Sequence, residues 1–139
     1  MTEERILAID FGTKRIGLAI TDPLKMFAIP FDTIPNDSLA IEKISNIIKE
    51  KFVVEIILGD PVGESGGNSV LSPAIQKFKK ELELKSNLTI QLVDERYSSS
   101  IASERILQSV TSKKKRRDKS LIDKNAAAVI LEDYLNEQK

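Results

Sequence analysis

The sequence predicts an α/β domain in which a mixed five-stranded sheet carries helices on both faces. Three observations predict it. Three short runs of β-branched and apolar residues follow one another near the start, none with helical spacing. Runs with helical spacing then alternate with further strand-like runs, which is how layered α/β folds are written. The chain has 139 residues, 41% hydrophobic and 30% charged, an amount and balance that suit one domain with one real core.

Ile6 to Asp10 is the first strand, ending on an acid just before Gly12. Ile16 to Thr21 is the second, with Lys14 and Arg15 at the turn between them and Asp22-Pro23 closing it. Phe27 to Ile34 makes a third strand if Pro30 stands at an edge or a bulge. Asn36-Asp37-Ser38 supplies N-cap residues for a helix whose Leu39, Ile41, Ile44, Ile47 and Ile48 run to about Lys51. Phe52 to Leu58 is apolar except for Glu55, as expected of a strand covered on both faces. Gly59 to Ser72 is glycine-rich and aperiodic, hence a loop. Pro73 suits the first position of a helix that runs to about Leu84. Leu88 to Val93 is the next strand, running into Asp94-Glu95-Arg96. Ser98-Ser99-Ser100 can cap a helix to Val110, and a last helix spans about Ser120 to Leu135. The predicted order is βββαβαβαα, opening on an antiparallel meander, with no internal repeat and no dividing linker.

Two absences restrict the chemistry. With no cysteine, disulfides, zinc–thiolate sites and thiol nucleophiles are excluded. With no histidine, the commonest general base and the commonest ligand for zinc, copper or iron are missing as well. Carboxylates without nitrogen or sulfur partners point to hard cations, Mg2+ or Mn2+. The segment Gly63-Glu64-Ser65-Gly66-Gly67 matches the nucleophile-elbow spacing, but it lies within a loop and has no histidine base. No phosphate-binding loop of the GxxxxGK[ST] type occurs.

Lys+Arg and Asp+Glu number 21 each, so formal net charge is zero, which gives no overall basic surplus for nucleic acid. The distribution differs from the sum. From Lys113 to Lys119, six of seven residues are Lys or Arg. Such a run is either a solvated loop or a phosphate-gripping segment, and its place just before Asp123 favours the second. No apolar run is long enough to span a bilayer, and the acidic opening residues do not resemble a signal peptide. The expectation is a cytoplasmic protein with no membrane association.

Three acids stand at element ends. Asp10 closes the first strand and Asp94-Glu95 closes the strand after Leu88, where α/β sheets bind ligands. Asp123 shares a helix face with Ala127, Ile130 and Tyr134, a face that should lie on the sheet. An acid there is costly unless it is paired or bound to metal, although a carboxylate in the first helical turn also benefits from the helix dipole. Three such acids in a chain without histidine suggest a metal site. Clustered carboxylates can hold two divalent ions about 3.5–4 Å apart for phosphodiester cleavage. Asp94 and Glu95 would point to opposite faces of a continuing strand, so one of them is the primary ligand; the longer arm favours Glu95.

Asp10-Phe11-Gly12-Thr13-Lys14-Arg15-Ile16-Gly17-Leu18-Ala19 resembles the opening signature of the YqgF/RuvX family, bacterial relatives of the RuvC Holliday-junction resolvase. Thr21-Asp22-Pro23, Asp94-Glu95-Arg96, and Lys119 through Asp123 to Ala126-Ala127 with Ile130-Leu131 agree in order, so the resemblance covers essentially the whole chain. It implies a ribonuclease H-like fold and a magnesium- or manganese-dependent nuclease. Its members are assigned to maturation of the 5′ end of pre-16S ribosomal RNA and, by analogy, to Holliday-junction resolution. The acidic site would be Asp10, Asp94-Glu95 and Asp123. Two departures from the family pattern are Gly59-Asp60-Pro61, where Gly-Leu-Pro is usual, and Tyr97 in place of Leu. Asp60 adds an acid that could join the metal or repel phosphate.

On this reading Asp10 bridges the metals while Glu95 and Asp123 complete their coordination, these three being the catalytic set. Lys14, Arg15, Arg96 and Lys119 are the candidates for holding substrate phosphate. Hairpin-tip charge remains open for the first two and structural pairing for Arg96. The partner is nucleic acid, RNA or branched DNA, and the protein is a monomer or a homodimer. Two other readings stay open. One is a nucleic-acid-binding ribosome assembly factor without cleavage. The other is an ATPase of the actin, Hsp70 and sugar-kinase superfamily, whose first phosphate loop Asp10-Phe11-Gly12-Thr13 also resembles, although those ATPases need two such lobes and 139 residues supply one.

Overall fold

A computed structural model describes residues 4–60, 73–94 and 119–137. In chain order the elements are β1 (Arg5–Phe11), β2 (Arg15–Thr21), β3 (Ala28–Pro35), α1 (Ala40–Glu50), β4 (Val53–Asp60), α2 (Pro73–Ser86), β5 (Ile90–Asp94) and α3 (Lys119–Glu137). The expected helix from Ser98 to Val110, most of the loop after Gly59, and the basic run up to Asp118 lie outside the described residues.

The strands form one five-stranded sheet in the order β3-β2-β1-β4-β5. β1, β2 and β3 make the antiparallel meander, while β4 runs parallel to β1 and β5 parallel to β4. β3 is an edge strand, and its ladder shifts register between Leu18 and Ala19, where Pro30 pairs. Edge and bulge together accommodate a residue that has no N–H.

Both faces of the sheet are covered, so β1 and β2 are apolar through most of their length rather than alternating. On one face Leu7, Ile9, Ile16, Leu18, Ile56 and Leu58 meet α1 through Ala40, Ile44 and Ile48, and α2 through Ile75, Phe78 and Leu82. On the other, Ile6, Ala8, Ala19 and Ile57 meet α3 through Ala127, Ala128, Ile130, Leu131, Tyr134 and Leu135. The helices lie on both faces, as the sequence predicts. Thr21 is fully buried, and its hydroxyl accepts the Ile6 N–H at 2.9 Å.

Several boundaries differ from expectation for local reasons. Asn36, Asp37 and Ser38 do not cap α1. Its N-cap position is Leu39, which makes no side-chain cap and is exposed, while Asp37 accepts the Leu39 N–H in a turn just upstream. The buried stripe of α1 is therefore Ala40, Ile44, Ser45 and Ile48. Phe52 is exposed with φ of +54°, so it turns the chain into β4 rather than starting it. β4 continues to Asp60, two residues beyond Leu58, and β5 begins at Ile90 rather than Leu88. Asn87, with φ of +60°, follows α2 in the left-handed conformation common after helix ends.

Glu55, the break in the apolar run of β4, accepts the Tyr134 hydroxyl at 2.5 Å. Burial, then this bond and the charge of Glu55, push the Tyr134 phenol up to about 12. Glu83 joins α2 to β5 by accepting the Ile90 N–H at 2.9 Å and pairing with Lys79 at 3.2 Å. The backbone donor, assisted by Lys79 and opposed by burial, holds the Glu83 carboxyl below its ordinary value of 4.5. A depressed carboxyl stabilises the fold above the unfolded-state value and ceases to do so as pH falls through the folded one. Glu83→Gln should therefore cost about 1 kcal/mol at neutral pH, with the gap to wild type closing below about pH 4. Urea titrations at several pH values measure this, and a gap that persists in acid would assign the loss to packing.

Candidate functional site

A glycine lets the backbone of Asp123 approach the strand pair that carries Asp10. Leu7 and Ile9 belong to the α1/α2 face and Ile6 and Ala8 to the α3 face, so strand alternation gives Asp10 to the α3 face. Its cross-strand partner on β2 is Gly17. A Cβ placed on Gly17 would overlap the backbone carbonyl of Asp123, so α3 rests directly on β2 at this point. A residue facing Asp10 across the ladder thus touches the peptide that carries Asp123. Both carboxylates are half-buried at the carboxyl end of β1.

Arg15 closes the arrangement. Its Nε donates to Asp123 Oδ2 at 2.7 Å, with both side chains partly shielded from water. The described part of α3 runs from Lys119, so Asp123 lies beyond the first turn. The first-turn dipole does not account for this acid, which is satisfied by an ion pair. Lys119 opens the helix one turn earlier.

The turn carrying Lys14 and Arg15 is braced from β3. The Gly12 N–H donates to the Arg15 carbonyl at 2.9 Å. Asn36 donates its backbone N–H to the Lys14 carbonyl at 2.9 Å and its side-chain amide to the Gly12 carbonyl at 2.8 Å. Sequence reasoning assigned Asn36 to a helix cap and missed this role, because the contact joins residues 24 positions apart. Gly17 was missed too, although a glycine within a strand is a signal for close approach.

β5 ends at Asp94, and β1 and β5 are not neighbours: β4 lies between them, which separates the two strand ends by roughly 10 Å. Register places Ile9, Leu58 and Leu92 side by side, so all three strands end at one edge. Gln91 contacts Tyr134 and Val93 packs with the α3 cluster, so odd positions of β5 face α3. Glu95 and Arg96 lie outside the described residues. Among the described residues, no group of three acids that could hold a metal gathers in one place.

The candidate donors suit a hard divalent cation: two half-buried carboxylates, with no histidine or cysteine anywhere in the chain. A cleft of about 270 Å³ lined by Phe11, Asn36, Lys77, Phe78 and Glu81 opens on the α1/α2 side, across the sheet from these acids. No described helix is long and apolar enough to cross a membrane.

A family model described as "RuvX: Holliday junction resolvase" matches residues 4–137. The chain belongs to the RuvX family. Relatives of this member include a Chlorobium chlorochromatii protein, 37% identical over 98% of this chain and 97% of its own, and a Christiangramia forsetii protein, 38% identical over 96% and 98%. Both carry the provisional designation of pre-16S rRNA nuclease. Among solved structures, Thermus thermophilus RuvC in complex with Holliday junction substrate aligns with a TM-score of 0.56 at 11% identity, covering 97% of this chain and 95% of that one. Fowlpox virus resolvase bound to junction DNA aligns with a TM-score of 0.58 at 14% identity, covering 96% and 98%. At these identities the structural likeness shows the fold, which is ribonuclease H-like, as the resemblance implies.

Proposed function

We propose that this RuvX-family chain is a divalent-metal-dependent nuclease that hydrolyses phosphodiester bonds at the 5′ end of pre-16S ribosomal RNA in the cytoplasm. The observation that supports the chemistry is the close approach of the Asp123 backbone to Gly17, the ladder partner of Asp10 near the carboxyl end of β1. The pre-16S designation of relatives aligned over nearly the whole chain supports the substrate.

Asp10 and Asp123 would hold Mg2+ or Mn2+, and Glu95 would complete the set. Glu95 is preferred to Asp94 for its longer arm, which can reach past the end of a strand. When bound, the metal supplies an activated water and charge stabilisation for the leaving oxygen. The protein's own part is to fix the carboxylates. The ladder sets Asp10, and the contact of α3 with β2 sets Asp123. Lys14, held by the braced turn, together with Arg15, Arg96, Lys119 and the basic run before α3, would position substrate phosphates.

A second reading follows from the family's description: a resolvase acting on four-way DNA junctions, which needs two sites and hence a homodimer. Cleavage of a labelled pre-16S 5′ segment and of a four-way junction, each with manganese, magnesium or EDTA, separates the two. Metal-dependent cutting of the RNA alone is the expected result. Cutting of the junction by a dimer would support the second reading. Binding to either without cutting under any metal would reduce the protein to an assembly factor.

A further inference from the structure

The Arg15–Asp123 pair, which joins a phosphate-ligand candidate to a metal-ligand candidate, has a consequence of its own. The guanidinium is a permanent cation, and Nε lies 2.7 Å from the carboxylate, so the pair is a charge-assisted hydrogen bond. Its setting is only partly wet: the two side chains are 35% and 23% exposed. Asp123 stands on the face that carries the buried Ala127 and Ile130, with its backbone against Gly17, the ladder partner of Asp10. A carboxylate at the border of an apolar interface, with a second acid on the neighbouring strand, is favoured by a positive partner. For Asp123 that partner is Arg15.

The backbone of Arg15 is fixed by the Gly12 bond, and its neighbours Lys14 and Gly12 are fixed by Asn36. The long side chain above this anchor remains able to change partner. A divalent ion held by Asp10 and Asp123 satisfies the same carboxylate with twice the charge, and a guanidinium beside it is then repelled. A phosphodiester cleaved at this metal would lie beside the acids, and the planar guanidinium fork matches phosphate.

We propose that Arg15 is a resident counter-ion of Asp123 that gives way to the divalent cation and then becomes a ligand of the substrate phosphate. The proposal rests on the metal-nuclease reading and deepens it. Arg15 competes with the metal, so metal and nucleic acid bind with positive coupling through one side chain: loading the metal frees the arginine for phosphate. By linkage, the coupling is reciprocal.

The experiment compares wild type, Arg15→Gln, Arg15→Lys and Asp123→Asn by calorimetric titration with Mn2+ and by binding of a phosphorothioate-blocked RNA in Mn2+ and in EDTA. Arg15→Gln should bind Mn2+ about 5- to 20-fold more tightly than wild type, and Arg15→Lys, which keeps the charge, should stay within about twofold of wild type. The Tm of Arg15→Gln should fall in EDTA and recover on adding Mn2+. Its RNA affinity should fall about tenfold in Mn2+ and little in EDTA. A readout without substitution is the Arg15 Nε–H resonance of wild type, which should move on titration with diamagnetic Mg2+. Unchanged or weaker Mn2+ binding by Arg15→Gln, or an Arg15 resonance indifferent to Mg2+ while wild type binds the ion, overturns the proposal and leaves the nuclease reading intact. Absence of any Mn2+ binding by wild type, matching Asp123→Asn, overturns both.

Discussion

Asp10→Asn should lower the single-turnover cleavage rate by at least about a thousandfold while leaving the fold and metal-free nucleic-acid binding in place. The two side chains have nearly the same shape, so the strand ladder, in which residue 10 pairs with Gly17, is unaffected. What is lost is the negative charge that makes the side chain a strong ligand for a hard cation. Asp10 is half-buried at a strand end rather than within either apolar cluster, so neutralising it should cost little stability. Loss of a negative charge near the phosphates should leave RNA affinity unchanged or slightly raised when measured in EDTA. Cleavage and binding measured on the same preparation decide the matter. A variant that still cuts removes Asp10 from the metal site, and one that neither cuts in metal nor binds in EDTA shows that the substitution has damaged more than the charge.

The second large effect is expected at Gly17, which bears no chemical group. Gly17→Val would drive a branched side chain into the Asp123 peptide, and backbone on both sides leaves no flexible neighbour to yield. Relief requires α3 to lift from β2, opening the cluster of Ala127, Ile130 and Leu131 against Ala8 and Ala19. Such overpacking should cost about 3 kcal/mol, or about 10 °C in Tm for a domain of this length. Cleavage should fall further than the folded fraction does, because Asp123 moves away from Asp10 even in molecules that remain folded. Gly17→Ala should do the same to a smaller degree. Thermal melts and activity at a temperature where both variants are folded separate the two losses. If Gly17→Ala retains wild-type Tm and activity, the close approach of α3 to β2 is not what sets the site.

The candidate site was legible in part for reasons that particular residues show. Asp10 could be found because it ends a strand whose apolar run is continuous, and Asp123 because the helical period places it in line with Ala127, Ile130 and Tyr134. Element order, the meander and the helices on both faces follow from the same periodicities. Pairing is where sequence reading ended. Nothing local says that β4 lies between β1 and β5, since strand order is decided by crossovers. Nor does anything local couple Arg15 to a residue 108 positions away, or turn Asn36 from a cap into a brace on the Gly12 turn. Boundaries failed where backbone conformation competed with composition. Phe52 is apolar enough for a strand, yet it adopts a left-handed conformation and faces solvent. Leu39 fits the helical period but stands before the first turn.

The edge strand β3 bears on how the protein behaves when crowded. A strand at the border of a sheet invites neighbouring chains to extend it, the first step toward fibrillar aggregation. Two of the eight residues of β3, Pro30 and Pro35, have no N–H, and the register shift near Pro30 breaks the flat geometry that a newcomer would need. Along this border the sheet is a poor template for its own copies. Newly made chains at high local concentration are therefore steered away from growing one another's sheets at β3, a safeguard written into the same edge that holds Asn36 against the site.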